Sequence, residues 1–236
     1  MSAAALPAGL LEAAGAPYRL VSRFAYYFAR GKLAGDPAYR AILERGLLQG
    51  RRRVLDLGCG LGLLAAVLHA AELCSQRAWW PASWPSPPRG VSIRGIEMKP
   101  RTAERARRAL GAWAQITQGD IRVADLGAAD AVVILDVLHY IDAPAQRALL
   151  NRVHDTLTPA GLLLLRVGDA AGGLRFRIGQ IWDKTVMLAR GSGCALHCRS
   201  FEQWCSLLHE CGFDTQVISM SDGTPFANVL LCARPR

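Results

Sequence analysis

Seven short apolar or alternating runs, most of them separated by helix-patterned segments, constrain this 236-residue chain more than any other feature. The runs are Arg53–Leu57, Val91–Ile96, Ala114–Thr117, Ala131–Asp136, Leu162–Val167, Thr215–Ser219 and Asn228–Cys232. Helical spacing fills Leu63–Cys74, Arg101–Gly111, Pro144–Leu157 and Phe201–Gly212. Strands that alternate with helices predict βαβ units and a parallel sheet covered on both faces. Only Met220–Phe226 separate the last two runs, and Asp222, Gly223 and Pro225 in that stretch are turn formers. That leaves no room for a crossover helix, so the last two strands must be antiparallel. The expected fold is α/β: a doubly wound, seven-stranded, mostly parallel sheet with a C-terminal antiparallel hairpin.

Hydrophobic residues make up 51% of the chain and charged residues 20%, a globular balance that excludes disorder, collagen and coiled coil. No stretch approaches the ~20 apolar residues of a membrane span. The N-terminus lacks a basic leader region and carries Glu12 early, so it reads as neither a signal nor a transit peptide. Seven cysteines, an odd number with several inside apolar runs, fit a reducing cytoplasm better than a disulfide framework. Residues 51–236 form the expected main domain. Residues 1–50 are an added helical segment, with helical stretches near Tyr18–Arg30 and Pro37–Gly50. Residues 75–90 are an insert containing WWPASWPSPPRG, and residues 169–200 are a cap segment. The insert joins a helix to the start of a strand, away from the carboxyl edge where open α/β sheets bind ligands. Its tryptophans are expected to pack on the domain's own surface, with a protein or membrane contact as the alternative.

The chemistry starts at Val54-Leu55-Asp56-Leu57-Gly58-Cys59-Gly60-Leu61-Gly62, where a buried strand carrying an acid runs into a glycine-rich turn and then a helix. Glycines permit tight backbone and close approach of a ligand, and a helix N-terminus offers free N–H groups. Gly60-Leu61-Gly62-Leu63-Leu64-Ala65 also matches the dinucleotide pattern GxGxxG/A, which keeps a dinucleotide-dependent oxidoreductase in view. Asp56 argues against that reading, because a carboxylate there would repel a pyrophosphate but suit a ligand carrying an ammonium and a sulfonium.

VLDLGCGLG resembles the first motif of the class I S-adenosylmethionine-dependent methyltransferases, and further pieces agree in order. Gly95-Ile96-Glu97 resembles the second strand ending in an acid. Gln118-Gly119-Asp120-Ile121 resembles the third motif, Ala131–His139 the fourth, and Leu157–Leu162 the entry to the fifth strand. The resemblance covers about residues 51–234. It implies S-adenosylmethionine as cofactor, with Asp56, Gly58, Cys59 and Gly60 at the turn. It places Glu97 on the ribose hydroxyls with Met98 beside it, Asp120 and Ile121 at the adenine, and Asp136 near the methionine ammonium. Glu97 lies 35 residues beyond Gly62 where about 20 is usual, and the tryptophan–proline insert accounts for the surplus.

The fourth motif reads Asp136-Val137-Leu138-His139-Tyr140 and not the Asp/Asn-Pro-Pro-aromatic of amino-methylating nucleic-acid enzymes. It resembles the small-molecule O-, C- and N-methyltransferases. Methyl transfer chiefly needs an aligned acceptor and excluded water, with a general base only for a protonated acceptor. His139 is the candidate base, against the plainer role of a histidine packed beside the site. Tyr26, Tyr140 and His197 are candidates for the acceptor side. The resemblance also implies an N-terminal helical lid that places Arg30, or alternatively Lys32, at the cofactor carboxylate; the alternatives are a helix packed on the sheet with its arginines solvated and a helix lying at a membrane interface. Ser200 with Gln203 predicts a capping box that leaves His197 in a loop. Cys194, His197, Cys198, Cys205, His209 and Cys211 contain no zinc-like CxxC pair, so no metal is expected.

The net charge of +9 comes from 28 basic and 19 acidic residues, and all but three of the basic ones are arginine. Lys99–Arg108 reads as a solvated helix face. The expected activity is methylation of a small or carrier-bound acceptor, most simply O- or C-methylation of an aromatic or polyketide-like metabolite. An RNA methyltransferase is the alternative enzyme, and a non-catalytic cofactor-binding scaffold the alternative outside catalysis.

Overall fold

The computed structural model describes residues 5–77, 79–171, 196–220 and 227–236. Four N-terminal elements come first: α1 (Ala8–Gly15), a 3-10 turn (Ala16–Leu20), α2 (Arg23–Gly35) and α3 (Pro37–Glu44). The alternating part follows as β1 (Arg53–Leu57), α4 (Leu63–Gln76), β2 (Ser92–Glu97), α5 (Pro100–Leu110), β3 (Gln115–Gln118), β4 (Ala129–Leu135), α6 (Ala143–Thr156) and β5 (Leu157–Gly168). It closes with α7 (Phe201–Glu210), β6 (Phe213–Ser219) and β7 (Asn228–Pro235).

The seven strands lie in one sheet in the order β3-β2-β1-β4-β5-β7-β6. The pairs among β1 to β5 are parallel, whereas β7 runs antiparallel to both β5 and β6. Strand alternation splits the core in two. Val54, Val133, Leu164 and Leu230 face the layer of α1 to α5, packing with Leu64, Ala106, Leu33 and Ile42. Leu55, Val132, Leu163 and Leu231 face the opposite layer, with Leu150 and Val153 of α6 and Trp204 and Leu208 of α7. Residues buried on both faces explain the near-continuous apolar runs of β4 and β5. The strand order reverses between β1 and β4, which opens a crevice at the carboxyl ends of these strands.

The N-terminal helices differ from expectation. The Ala-rich segment Ala8–Gly15 is a helix of its own, Pro17 tightens the next five residues into a 3-10 turn, and α2 starts only after the Ser22 cap. Pro37 ends the run at Asp36, whose backbone is extended and whose side chain then caps α3 by accepting from the Ala38 N–H. At Leu157, β5 begins five residues earlier than the apolar run, pairing with Ala129 before a bulge resets the register. The capping box at α7 forms as expected, with Ser200 and Gln203 each accepting from the other's backbone N–H.

Two of the three insert tryptophans pack on the domain itself. The Trp80 Nε1–H donates to the Pro85 carbonyl at 2.9 Å, and Trp84 is buried beneath the Arg40 guanidinium. Trp79 is exposed. Of the cap segment, residues 172–195 lie outside the described residues, Cys194 among them. Among the described residues, no helix is long and apolar enough to cross a membrane.

Candidate functional site

The turn after β1 is built by three glycines with positive φ, at 74° for Gly58, 57° for Gly60 and 74° for Gly62. A Cβ on Gly58 would lie 2.4 Å from Val137 Cγ2, and one on Gly62 would lie 2.4 Å from Leu110 Cδ1. Those two glycines are needed for packing. At Gly60 a Cβ would meet nothing within 4 Å, so this part of the turn borders open space. The N–H groups of Gly58 and Cys59 both donate to the Ile96 carbonyl, at 2.8 and 3.1 Å. Glu97 completes the link to β2, since its Oε2 accepts from the Gly60 N–H at 3.1 Å and its Oε1 from the Lys99 N–H at 2.8 Å. The structure thus brings Gly58, Cys59, Gly60 and Glu97 together at one crevice, with Asp56 behind them.

The charge there is negative. Asp56 is buried, and burial first, then the nearby charge of Glu97, pushes its carboxyl up to about 7. Burial and the same two acids push the Cys59 thiol far above its usual range. Both effects destabilise anions and would be relieved by a bound cation. The open face at Gly60 and this pair of carboxylates fit a ligand with hydroxyl donors and a positive charge.

The N-terminal segment helps form this site. The buried Tyr18 donates its hydroxyl to the Leu61 carbonyl within the glycine turn at 2.9 Å. Lys32 near the end of α2 reaches the Asp136 carboxylate at 3.2 Å and Asp36 at 2.9 Å. Arg166, buried in β5, contacts both acids, with a fork of two nitrogens on Asp136 and the third nitrogen on Asp36. Two carboxylates and two cations therefore tie α2 and α3 to the carboxyl ends of β4 and β5. Asp136 itself has a φ of 60°, a left-handed conformation rare outside glycine. Burial alone would raise the Asp36 carboxyl, but Arg166 and Lys32 outweigh it and hold it low.

Other expected site residues have distinct surroundings. Arg30 pairs with Glu12 of α1 and stacks over the Tyr26 ring, 5.5 Å from its centroid. The Tyr26 hydroxyl accepts from Arg19. It is Lys32, not Arg30, that points from α2 to the strand ends. Asp120 is gripped by Arg122 of its own turn, which holds its carboxyl low. Ile121 is buried, and Met98 is exposed beyond β2.

On the far side of β4, the 3-10 turn Leu138–Tyr140 carries His139, nearly buried, with the Tyr140 ring centroid 4.1 Å from its own. The loop before α7 comes to the same place, because the His197 N–H donates to the His139 carbonyl at 2.9 Å. The two histidine-bearing segments are thus neighbours, 58 positions apart in the chain. Among the described residues, no group of His, Cys, Asp and Glu could hold a metal ion.

Sequence reasoning did not find Tyr18, Asp36 or Arg166. Arg166 left one trace, a lone charge inside the apolar run LLLLRVG. Such a charge must be paired when the strand is central.

Residues 55–163 match the family described as a methyltransferase domain. The carboxy-S-adenosyl-L-methionine synthase of Chromohalobacter salexigens is 32% identical over 129 residues, which are 52% of this chain and 42% of that protein. The corresponding synthase of Klebsiella pneumoniae is 30% identical over 129 residues, 52% of this chain and 47% of that protein. The chain thus spans less than half the length of these curated relatives. Human N-acetylserotonin methyltransferase in complex with SAM superposes with a TM-score of 0.64 at 19% identity, over 98% of this chain and 60% of that one. Magnesium protoporphyrin IX methyltransferase from Synechocystis PCC 6803 with bound SAH gives 0.58 at 18%, over 94% of each chain. These similarities establish the fold and the domain matched.

Proposed function

We propose, from the premise that this chain belongs to the class I methyltransferases, that it transfers a methyl group from S-adenosylmethionine to a small or carrier-bound acceptor. The observation that carries the reading is Glu97 Oε2 holding the Gly60 N–H while Gly60 faces open space and Asp56 lies buried behind the turn. When bound, the cofactor supplies an electrophilic methyl group on a sulfonium. Glu97 accepts from ribose hydroxyls, and Asp56 offers a carboxylate to the ligand's positive charge. Lys32, already seated between Asp36 and Asp136, is the cation of α2 nearest the crevice for a ligand carboxylate.

The acceptor lies on the His139 side. His139 takes the proton when the acceptor is a phenol or hydroxyl, and Tyr140 and His197 shape its pocket. An aromatic or polyketide-like acceptor is favoured by α2, which exposes Phe24, Tyr27 and Phe28 on the helix whose Lys32 reaches the strand ends. Phe24, Phe28 and Lys32 follow one another at i, i+4 and i+8 and so share one side of that helix. The fourth motif disfavours nucleic acid as the acceptor. A cytoplasmic location fits the six described cysteines, all of which are free thiols.

Calorimetry with S-adenosylmethionine tests the cofactor, and Glu97→Ala and Asp56→Ala should each weaken affinity at least about tenfold. Unchanged affinity in both removes the assignment. Methyl transfer to phenolic acyl compounds tests the acceptor class, and His139→Ala should lower turnover while leaving cofactor affinity in place.

The similarity to carboxy-S-adenosyl-L-methionine synthases favours a second reading, in which the cofactor itself is the molecule modified. Mass spectrometry of the nucleoside product separates the two. S-adenosylhomocysteine supports methyl transfer, and a carboxylated S-adenosylmethionine supports the second reading.

A further inference from the structure

Gln146 lies at the end of the first turn of α6 and is fully buried. Its Nε2 is 3.0 Å from the Leu138 carbonyl, 3.1 Å from that of Ile141 and 2.9 Å from that of His197. Its Oε1 accepts from the Arg199 Nε–H at 2.8 Å. An amide nitrogen has two hydrogens, so three carbonyls at this range share them. Leu138 and Ile141 flank His139 and Tyr140, and His197 belongs to the loop that precedes α7. One amide therefore joins the two segments that carry the acceptor-side histidines, and their backbones meet directly at the His197 to His139 hydrogen bond. The arrangement extends to the segment just beyond β5, since the Arg199 carbonyl accepts from the Ala170 N–H at 3.1 Å.

We propose that Gln146 is a positioning residue for the acceptor site, fixing where His139 and His197 stand relative to each other. The inference rests on the reading that those histidines flank the acceptor. The side chain is suited to this task because it is neutral and presents donors and an acceptor from one rigid plane. A hydrophobic side chain of similar length would fill the volume and leave four partners without it. A carboxylate would keep Arg199 but set oxygen against three carbonyl oxygens. Gln146 touches no reacting atom in this scheme. It acts through the backbone of its neighbours.

The test uses the full chain with Gln146→Met and Gln146→Glu, read by the imidazole resonances of its five histidines and by calorimetry with S-adenosylmethionine. In both variants the resonances of His139 and His197 should move while those of His154 and His209 stay, with cofactor affinity within about twofold of the parent. With an acceptor in hand, its KM should rise about tenfold and kcat should change less. Unmoved His139 and His197 resonances in a folded variant overturn the inference. If one variant fails to fold, the other decides on the same resonances. Should the parent protein itself fail to bind the cofactor, the functional reading falls, and the resonances still judge the positioning claim.

Discussion

The Tyr18 hydroxyl donates to the Leu61 carbonyl at 2.9 Å, so a residue far outside the glycine turn fixes part of its backbone. Both groups are buried, and burial holds the phenol well above its usual range, as a neutral donor. Tyr18→Phe keeps the ring and leaves the carbonyl without its partner. The expected loss is about 1–3 kcal/mol in urea unfolding, together with weaker S-adenosylmethionine binding by calorimetry. A variant equal to the parent in both would mean that the turn holds its shape unaided.

Asp56 makes stability and binding depend on pH. Its carboxyl titrates at about 7 in the folded protein, against about 3.9 when unfolded. Between those values the folded state holds the extra proton, so this group's contribution falls as pH rises and levels off above about 7. The slope is at most about 1.4 kcal/mol per pH unit. Asp56→Asn should flatten it in unfolding curves recorded from pH 5 to 8. A cation seated beside the carboxylate lowers its pKa, so cofactor binding at neutral pH should release up to about half a proton. Binding enthalpies measured in phosphate and in Tris should then differ, and the difference should vanish in Asp56→Asn.

The turn glycines should separate by substitution. Gly58→Ala adds a clash with Val137 to the left-handed strain, while Gly60→Ala adds strain alone. Strain costs about 1–2 kcal/mol, and overpacking about 1–3 kcal/mol more. Thermal unfolding should therefore rank Gly58→Ala well below Gly60→Ala, and Val137→Ala should partly restore the former. Ligand affinity should reverse the emphasis, with Gly60→Ala harming binding more than stability.

Arg166 is the centre of the charge cluster between the N-terminal helices and the sheet. Arg166→Met leaves Asp36 buried beside a single lysine, at an expected cost of about 3–5 kcal/mol. Converting Asp36 and Asp136 to asparagine in the same background should recover most of that loss. In the parent protein the depressed Asp36 carboxyl contributes stability that is present above the unfolded value near 4 and lost as pH falls through its lower folded value. Acid unfolding should therefore occur at higher pH in Arg166→Met.

The parts of this molecule that were legible in sequence are those with a local signal. The bounds of β1 follow from an apolar run that stops at glycines, and α7 from a serine cap with glutamine three residues on. Where two signals conflicted, the local one misled. The apolar run starts at Leu162 and the helical spacing reaches Leu157, yet β5 already begins at Leu157, because pairing with Ala129 recruits residues that carry no apolar signal of their own. The Ala-rich α1 has a weak amphipathic pattern and takes its place by packing Leu10 and Ala14 into the core against α4. The charge cluster was the least legible feature, since Asp36 and Arg166 are 130 positions apart and nothing near either one names the other. The acids at the turn were readable because each stands at the carboxyl end of a short apolar strand, Asp56 in β1 beside the glycines and Glu97 as the last residue of β2. Tyr18 and Gln146 were not, because the groups their side chains donate to are backbone carbonyls that any residue type could supply.

Strand β7 comes last in sequence among the seven but lies between β5 and β6 in space. During synthesis, β5 therefore emerges with one edge unpaired, and β6 follows with no neighbour to join. Neither can be completed until Asn228–Pro235 has left the ribosome. Chains interrupted before Asn228 would expose both edges at once, together with the apolar faces that Leu230 and Leu231 cover. Such chains are the ones a cell's quality control should meet as aggregation-prone.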